Sequence, residues 1–159
     1  MKSITLGLLD DLSRQARSSK RLRINHNLHD HLGDKIQRLL NAMEPGTYVQ
    51  PHRHKADRWE YFQLIRGEAL IVLFDVNGRV VEKIHLSPAN ILAIEIPGGC
   101  FHTISSLAPQ TVLWELKPGP YHADSDKEFA RWAPSENQES VGQFLAWFES
   151  SRKGDLPPS

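Results

Sequence analysis

The residues of this chain best suited to chemistry are His52 and His54 in Pro51-His52-Arg53-His54, Glu60 shortly after, and His102 closing Pro97-Gly98-Gly99-Cys100-Phe101-His102. Three imidazoles and one carboxylate are a donor set with which proteins hold a divalent transition metal. Side chains alternate along a strand, so His52 and His54 share a face and can chelate one ion, while Arg53 points the opposite way. By the same parity Tyr48 and Gln50 share the histidine face if no bulge intervenes, which makes them candidates for hydrogen bonding or proton transfer at the site. Glu95 and Glu115 stand in apolar runs where a carboxylate could act as general base. For both, a place on the sheet surface is the commoner fate. Cys100 reads as a small, partly buried hydrophobe beside His102 rather than as a ligand.

These residues need a scaffold that joins two distant segments, and the intervening sequence supplies one. Candidate strands run over 36–44, 48–54, 59–66, 69–76, 79–86, 90–96, 101–106 and 111–117, punctuated by Gly46, Gly67 and the Asn77-Gly78 hairpin signal. Short strands at regular spacing with Gly/Pro turns predict a mostly β sandwich or small barrel. Upstream, Leu6, Leu9, Leu12 and Ala16 predict an amphipathic helix over 5–18, followed by a polar connector containing His26, His29 and His31. No carboxylate or thiol at defined spacing completes a metal set there, so these read as solvated loop histidines. Downstream, a capping box between Ser135 and Gln138 and the apolar face of Val141, Phe144, Leu145 and Phe148 predict a helix to about Ser151 that covers a sheet face. The expected organisation is a helix and connector over 1–34, a β core over 35–118, a loop and helix over 119–152, and a tail over 153–159.

Composition narrows the partners. Lys+Arg and Asp+Glu both count 19, which gives no electrostatic footprint for nucleic acid or an anionic membrane. A small-molecule ligand is the expected partner. The apolar start of the chain is cut short by Asp10 and Asp11, and no apolar run reaches membrane-spanning length. One cysteine in 159 residues points to a reducing, cytoplasmic setting. Open sheet edges in a small β domain favour a homodimer.

The spacing Gly46-x5-His52-x-His54-x5-Glu60-x6-Gly67 resembles the first cupin motif, and Pro97-x-Gly99-x-x-His102 resembles the core of the second. Two departures are visible. The loop from His54 to Glu60 is longer than the pattern's three or four residues, which leaves Asp57 as a competing carboxylate, although the spacing from Glu60 to Gly67 favours Glu60. Ile91 and Ser106 also replace the second motif's leading glycine and terminal asparagine. A narrower resemblance covers nearly the whole chain. Asn25-His26-Asn27-Leu28-His29, the stretch from Gln37 to Val49, Pro51 to His54, Gly119-Pro120-Tyr121, Asp126 to Ala130 and Trp132 to Glu136 are similar to the WbuC family of cupin-fold metalloproteins. That resemblance implies a cupin double-stranded β-helix, jelly-roll-like, with one divalent metal ion bound. It also implies a link, in some members, to cell-surface polysaccharide biosynthesis, and no established reaction. Three nitrogens and one oxygen suit Fe, Mn, Ni or Zn, and an octahedral ion so held keeps two positions for substrate or water.

Three functions remain open on this reading. One is a metal-dependent enzyme (isomerase or epimerase, lyase, or oxygenase) acting on a sugar or sugar-nucleotide derivative. Another is a non-catalytic, metal-dependent binding or sensing module. The last is a metal-free sugar epimerase using histidine as base.

Overall fold

The computed structural model describes residues 1–124 and 126–158. Two antiparallel five-stranded sheets face each other, with a helix at each end of the chain. In chain order the elements are α1 (Leu6–Ser18), β1 (Arg23–Asn27), β2 (Ile36–Met43), β3 (His52–Arg53), β4 (Glu60–Arg66), β5 (Ala69–Phe74), β6 (Val80–Leu86), β7 (Ala93–Ile96), β8 (Phe101–Ser106), β9 (Thr111–Pro118), β10 (Glu128–Phe129) and α2 (Val141–Ser150). One sheet has the order β1-β2-β9-β4-β7 and the other β10-β3-β8-β5-β6.

Alternation along the strands builds three apolar layers. Inward residues of both sheets, among them Met43, Phe62, Leu64, Ile71, Ile84, Leu86, Ile104 and Leu113, form the core between them. The outer face of the first sheet presents Leu40, Ala42 and Val112 to Leu9, Leu12 and Ala16 of α1. The outer face of the second presents Leu70, Val72 and Phe74 to Phe144 and Phe148 of α2. Each such side chain contributes roughly 1.5–3 kcal/mol on full burial, which explains why both helices cover sheet faces. Thr5 caps α1, its hydroxyl accepting from the Leu8 amide at 3.2 Å. Leu6, placed on the apolar face by its spacing, is exposed, and Ser13 is buried instead, its hydroxyl accepting from the Arg66 guanidinium at 2.8 Å.

Several expectations are corrected. The polar connector contains β1, which pairs in register with β2 from Arg23↔Met43 to Asn27↔Leu39, so the sheet begins before residue 35. Tyr48 to Pro51 is not strand, and only His52 and Arg53 pair, with β8 and β10. The 90–96 segment is strand only from Ala93. The Asn77-Gly78 turn forms, but only Gly78 adopts positive φ, and the Asp75 carboxylate accepts from the amides of Asn77 and Arg79 within a longer connection. Half of the capping box forms: the Ser135 amide donates to Gln138 Oε1 at 2.9 Å, but the Gln138 amide donates to the Ser135 carbonyl rather than its hydroxyl, and the pair closes a turn ahead of a helix that starts at Val141. In the expected tail, Gly154 and Asp155 bond to the backbone of Val80. No helix among the described residues is long and apolar enough to cross a membrane.

Candidate metal centre

β3 and β8 lie side by side with His52 opposite His102, so one backbone pairing brings the two distant motifs together. The long loop after His54 is held by the Pro97-Gly98-Gly99 turn. The Gly99 amide donates to the His54 carbonyl at 2.9 Å. A Cβ at Gly98 would stand 2.2 Å from the Lys55 carbonyl oxygen, so only glycine fits there. Glu60 enters from the opposite sheet, on the inward parity of β4 shared with Phe62 and Leu64.

His52, His54, Glu60 and His102 are all buried, and each offers a ligand atom within 4.8 Å of the others. Glu60 Oε1 lies 2.9 Å from His54 Nε2, and Glu60 Oε2 lies 2.9 Å from His102 Nε2. Despite those distances, none of the three Nε2 atoms, nor Glu60 Oε2, meets hydrogen-bond geometry with any partner. Atoms so close and still unpaired are aimed at a shared point rather than at one another.

The other ring nitrogens fix the tautomers. His52 Nδ1 lies 2.9 Å from the Gln50 carbonyl, His54 Nδ1 2.5 Å from the Asp126 carbonyl, and His102 Nδ1 3.1 Å from the Cys100 carbonyl. A carbonyl can only accept, so each Nδ1 carries the proton and each Nε2 presents a bare lone pair. Burial, with Lys127 and His102 adding to it, pushes the His52 pKa well below its ordinary value and keeps that ring neutral.

A buried ion-pair network backs the carboxylate. Lys117 Nζ donates to Asp126 Oδ2 at 3.0 Å and stands 3.4 Å from Glu115 Oε1 and 3.6 Å from Glu60 Oε1. Burial works against its charge, but Glu115, Glu60 and Asp126 together raise its pKa. Burial and the Glu60 charge push the Glu115 carboxyl up, against Lys117 and the hydrogen bond donated by Asn41. A cavity of about 320 Å³ opens in front of the centre, walled by Gln50, His52, Glu60, Phe62, His102 and Glu115 among others.

Of the residues singled out in the sequence, the structure gathers the three histidines, Glu60, Gln50 and Glu115, which is buried on the inward face of β9 rather than lying on the sheet surface. Asp57 is exposed on the loop and outside the cluster. Arg53 points away from it and pairs with Glu128 at 2.9 Å through two nitrogens, over the Phe101 ring. Cys100 is partly buried against the core and offers only its carbonyl. Tyr48 is not on the cavity wall. Without strand geometry before His52 its ring turns out to stack on Phe148, its hydroxyl donating to the Pro134 carbonyl at 2.8 Å. Glu95 is exposed on the outer face, because it pairs with outward Tyr61, one residue out of phase with Glu60.

Sequence reasoning missed Lys117 and Asp126 and set Glu115 aside. The signal for two of them was available, since Leu113, Glu115 and Lys117 share one face of β9, and a carboxylate and an ammonium beside a buried leucine mark a polar interior. Asp126 acts through its backbone carbonyl and a loop-borne carboxylate, for which no spacing rule exists.

The family model described as "Domain of unknown function (DUF6016)" matches residues 4–86, just over half of the chain. No curated protein matches the sequence. Among solved structures, CapF with the inhibitor 3-isopropenyl-tropolone is similar at 21% identity and a TM-score of 0.57, over 66% of this chain and 31% of that one. The capsular polysaccharide assembling protein CapF from Staphylococcus aureus gives 21% and 0.56, over 70% of this chain and 32% of the other. A cupin superfamily protein from Desulfitobacterium hafniense gives 18% and 0.52, over 74% of this chain and 93% of the other. The chain thus spans about a third of CapF. These likenesses establish the cupin fold, and the buried group of three histidines and a glutamate fits a metal-binding cupin.

Proposed function

We propose, for a chain that belongs to the DUF6016 family and has the cupin fold, that His52, His54, Glu60 and His102 hold one divalent transition ion at which a small polar molecule binds and reacts. The observation that carries this reading is the convergence of three lone-pair Nε2 atoms and one carboxylate oxygen, all buried and all without hydrogen-bond partners. The ion, Fe, Mn, Ni or Zn by its donor set, would polarise a carbonyl or grip paired oxygens of the substrate. Around it this chain's own groups orient and exchange protons. Gln50 offers an amide on the cavity wall, and Glu115 a carboxyl whose pKa burial raises toward the proton-holding state. Lys117 stays charged and holds Glu60 and Asp126 in place.

The substrate class we favour is a sugar or sugar-nucleotide derivative, with the chain a WbuC-type cupin serving cell-surface polysaccharide assembly in the cytoplasm. Its support is the WbuC-like sequence blocks and the structural likeness to a capsular polysaccharide assembling protein. A homodimer is proposed with it, on the ground that β1, β7, β6 and β10 are sheet edges; light scattering that returns a monomer would reject it.

Elemental analysis of purified protein tests the centre. About one ion per chain is expected, falling below about a tenth in His54→Ala and in Glu60→Ala while circular dichroism stays native. Unmodified protein without stoichiometric metal after supply of all four ions would overturn the reading. Turnover that survives complete chelation would favour a metal-free epimerase instead.

A further inference from the structure

A second cavity of about 320 Å³ lies on the first sheet beyond Glu115, walled by Asn25, Asn27, His29, Glu115, Lys117 and Tyr121 among others. It shares Asn25, Glu115 and Lys127 with the cavity in front of the metal centre, so the two adjoin. Its wall follows from strand parity. Asn25 and Asn27 of β1 lie on the same face as the positions they pair with, Asn41 and Leu39 of β2, and Leu39 in turn pairs with Glu115 of β9.

His29 is the unusual member. It is only 7% exposed, and its Nε2 has no hydrogen-bond partner. Its Nδ1 lies 3.1 Å from the Arg38 amide nitrogen and 3.0 Å from the Arg38 carbonyl. That carbonyl already accepts the amides of Leu28 at 2.7 Å and His29 at 3.3 Å, which fills its two lone pairs. The Arg38 N–H points toward the same neighbour as its carbonyl, as antiparallel geometry requires, and the imidazole is the acceptor it meets there. Nδ1 therefore accepts, and the proton sits on Nε2. The metal-centre histidines have the reverse arrangement, with Nδ1 protonated and Nε2 bare. His29 is built as a buried donor, not as a ligand.

A buried N–H without an acceptor costs about 1–3 kcal/mol, and the cavity it lines is where an acceptor can come from. Beside it stand the Lys117 ammonium, the Asn27 amide and the Tyr121 ring, with the Glu115 carboxyl at the junction. Donors set around one carboxyl acceptor match a dense array of hydroxyl and ring oxygens. We infer that this second cavity is a subsite for a polyhydroxylated unit, a monosaccharide ring, whose oxygen accepts from His29 Nε2–H while the rest of the same ligand reaches the metal centre. The inference rests on the reading that the metal cavity takes a sugar-like ligand.

The test uses the full ¹⁵N-labelled chain with zinc supplied, and D-glucose, D-glucuronate and maltose as probes. Long-range imidazole spectra are expected to report the Nε2–H tautomer for His29 and the Nδ1–H tautomer for His52, His54 and His102. At least one probe is expected to shift the His29 ring nitrogens saturably, and His29→Phe to weaken that probe about tenfold with metal content unchanged. Asn27→Leu, at an exposed wall position, is expected to weaken it too and guards against misfolding of the first variant. An Nδ1–H tautomer at His29, a His29 signal silent to every probe, or undiminished binding in both variants would overturn the inference. Saturable shifts at His29 in protein that takes up none of zinc, iron, manganese and nickel would sink the metal reading and leave this one. Full zinc occupancy with a silent His29 would do the opposite.

Discussion

At the scale of single residues, the histidines divide by what their backbone neighbours let them do. His52, His54 and His102 each face a carbonyl and so present a lone pair, whereas His29 faces an amide and so presents a proton. Spacing alone made the first three legible, because an i, i+2 pair and a Pro-x-Gly-x-x-His turn leave few other uses. It could not place His29, whose role depends on a strand neighbour nine positions away. Lys117 was equally hidden, and it is the residue whose loss should cost most. Apart from the imidazoles of His54 and His102, it is the one cationic side chain within 4 Å of the buried carboxylates Glu60, Glu115 and Asp126 among the described residues. Removing one partner of a buried pair leaves uncompensated charge and costs about 3–5 kcal/mol. Lys117→Met, similar in size, is therefore expected to lose that much in urea denaturation of the metal-free protein, and less at low pH, where the carboxyls protonate. A loss under about 1 kcal/mol would mean that solvent reaches the network.

At the scale of elements, legibility followed the apolar pattern and failed where a strand serves the cavity instead of the core. β2, β4, β8 and β9 lie within a residue or two of where alternation puts them. β1 reads as a polar connector because its inward positions, Arg23, Asn25 and Asn27, line open cavities, while Ile24 on its other face packs against α1. β10 is two residues long and exposed, and leaves no pattern to read. β1 and the segments flanking the β1-β2 hairpin also anchor the C-terminal segment. Arg21 and Arg23 both donate to Glu136, Arg21 at 2.8 Å through two nitrogens, and Tyr48 donates to nearby Pro134. Burial opposes the Glu136 charge, but the two guanidinium groups outweigh it and lower the pKa below the ordinary 4.5. A carboxyl whose folded pKa is depressed contributes stability above the unfolded value and loses it as pH falls through the folded one. Glu136→Gln is thus expected to melt below the parent at neutral pH, with the gap closing as pH drops beneath 4.5. A pH-independent gap would assign the effect to packing.

At the scale of the whole molecule, the candidate metal centre draws its residues from both sheets, so an ion held there would rivet them together. His52 and His102 stand on β3 and β8 of one sheet, His54 follows β3 directly, and Glu60 stands on β4 of the other. The apolar core fills the far part of the interior, and the near part holds polar groups that pay for burial without packing energy in return. Without an ion, three unpartnered ring nitrogens and a carboxylate sit together with nothing to join them, so this end of the sandwich should be the weaker one. An ion that binds only the folded chain stabilises it by mass action, about 4 kcal/mol when free metal exceeds its dissociation constant a thousandfold. For a domain of this size that corresponds to a melting shift of roughly 10 °C. Chelation is therefore expected to lower the melting temperature by about that amount, with restoration on adding metal back. Hydrogen exchange should quicken first in β3, β8 and the loop after His54, and least in β6, which β5 separates from β8. In His52→Ala the chelator should change neither quantity. If the parent also melts and exchanges identically with and without chelator, the four residues do not share an ion, and the two sheets are held by their apolar core alone.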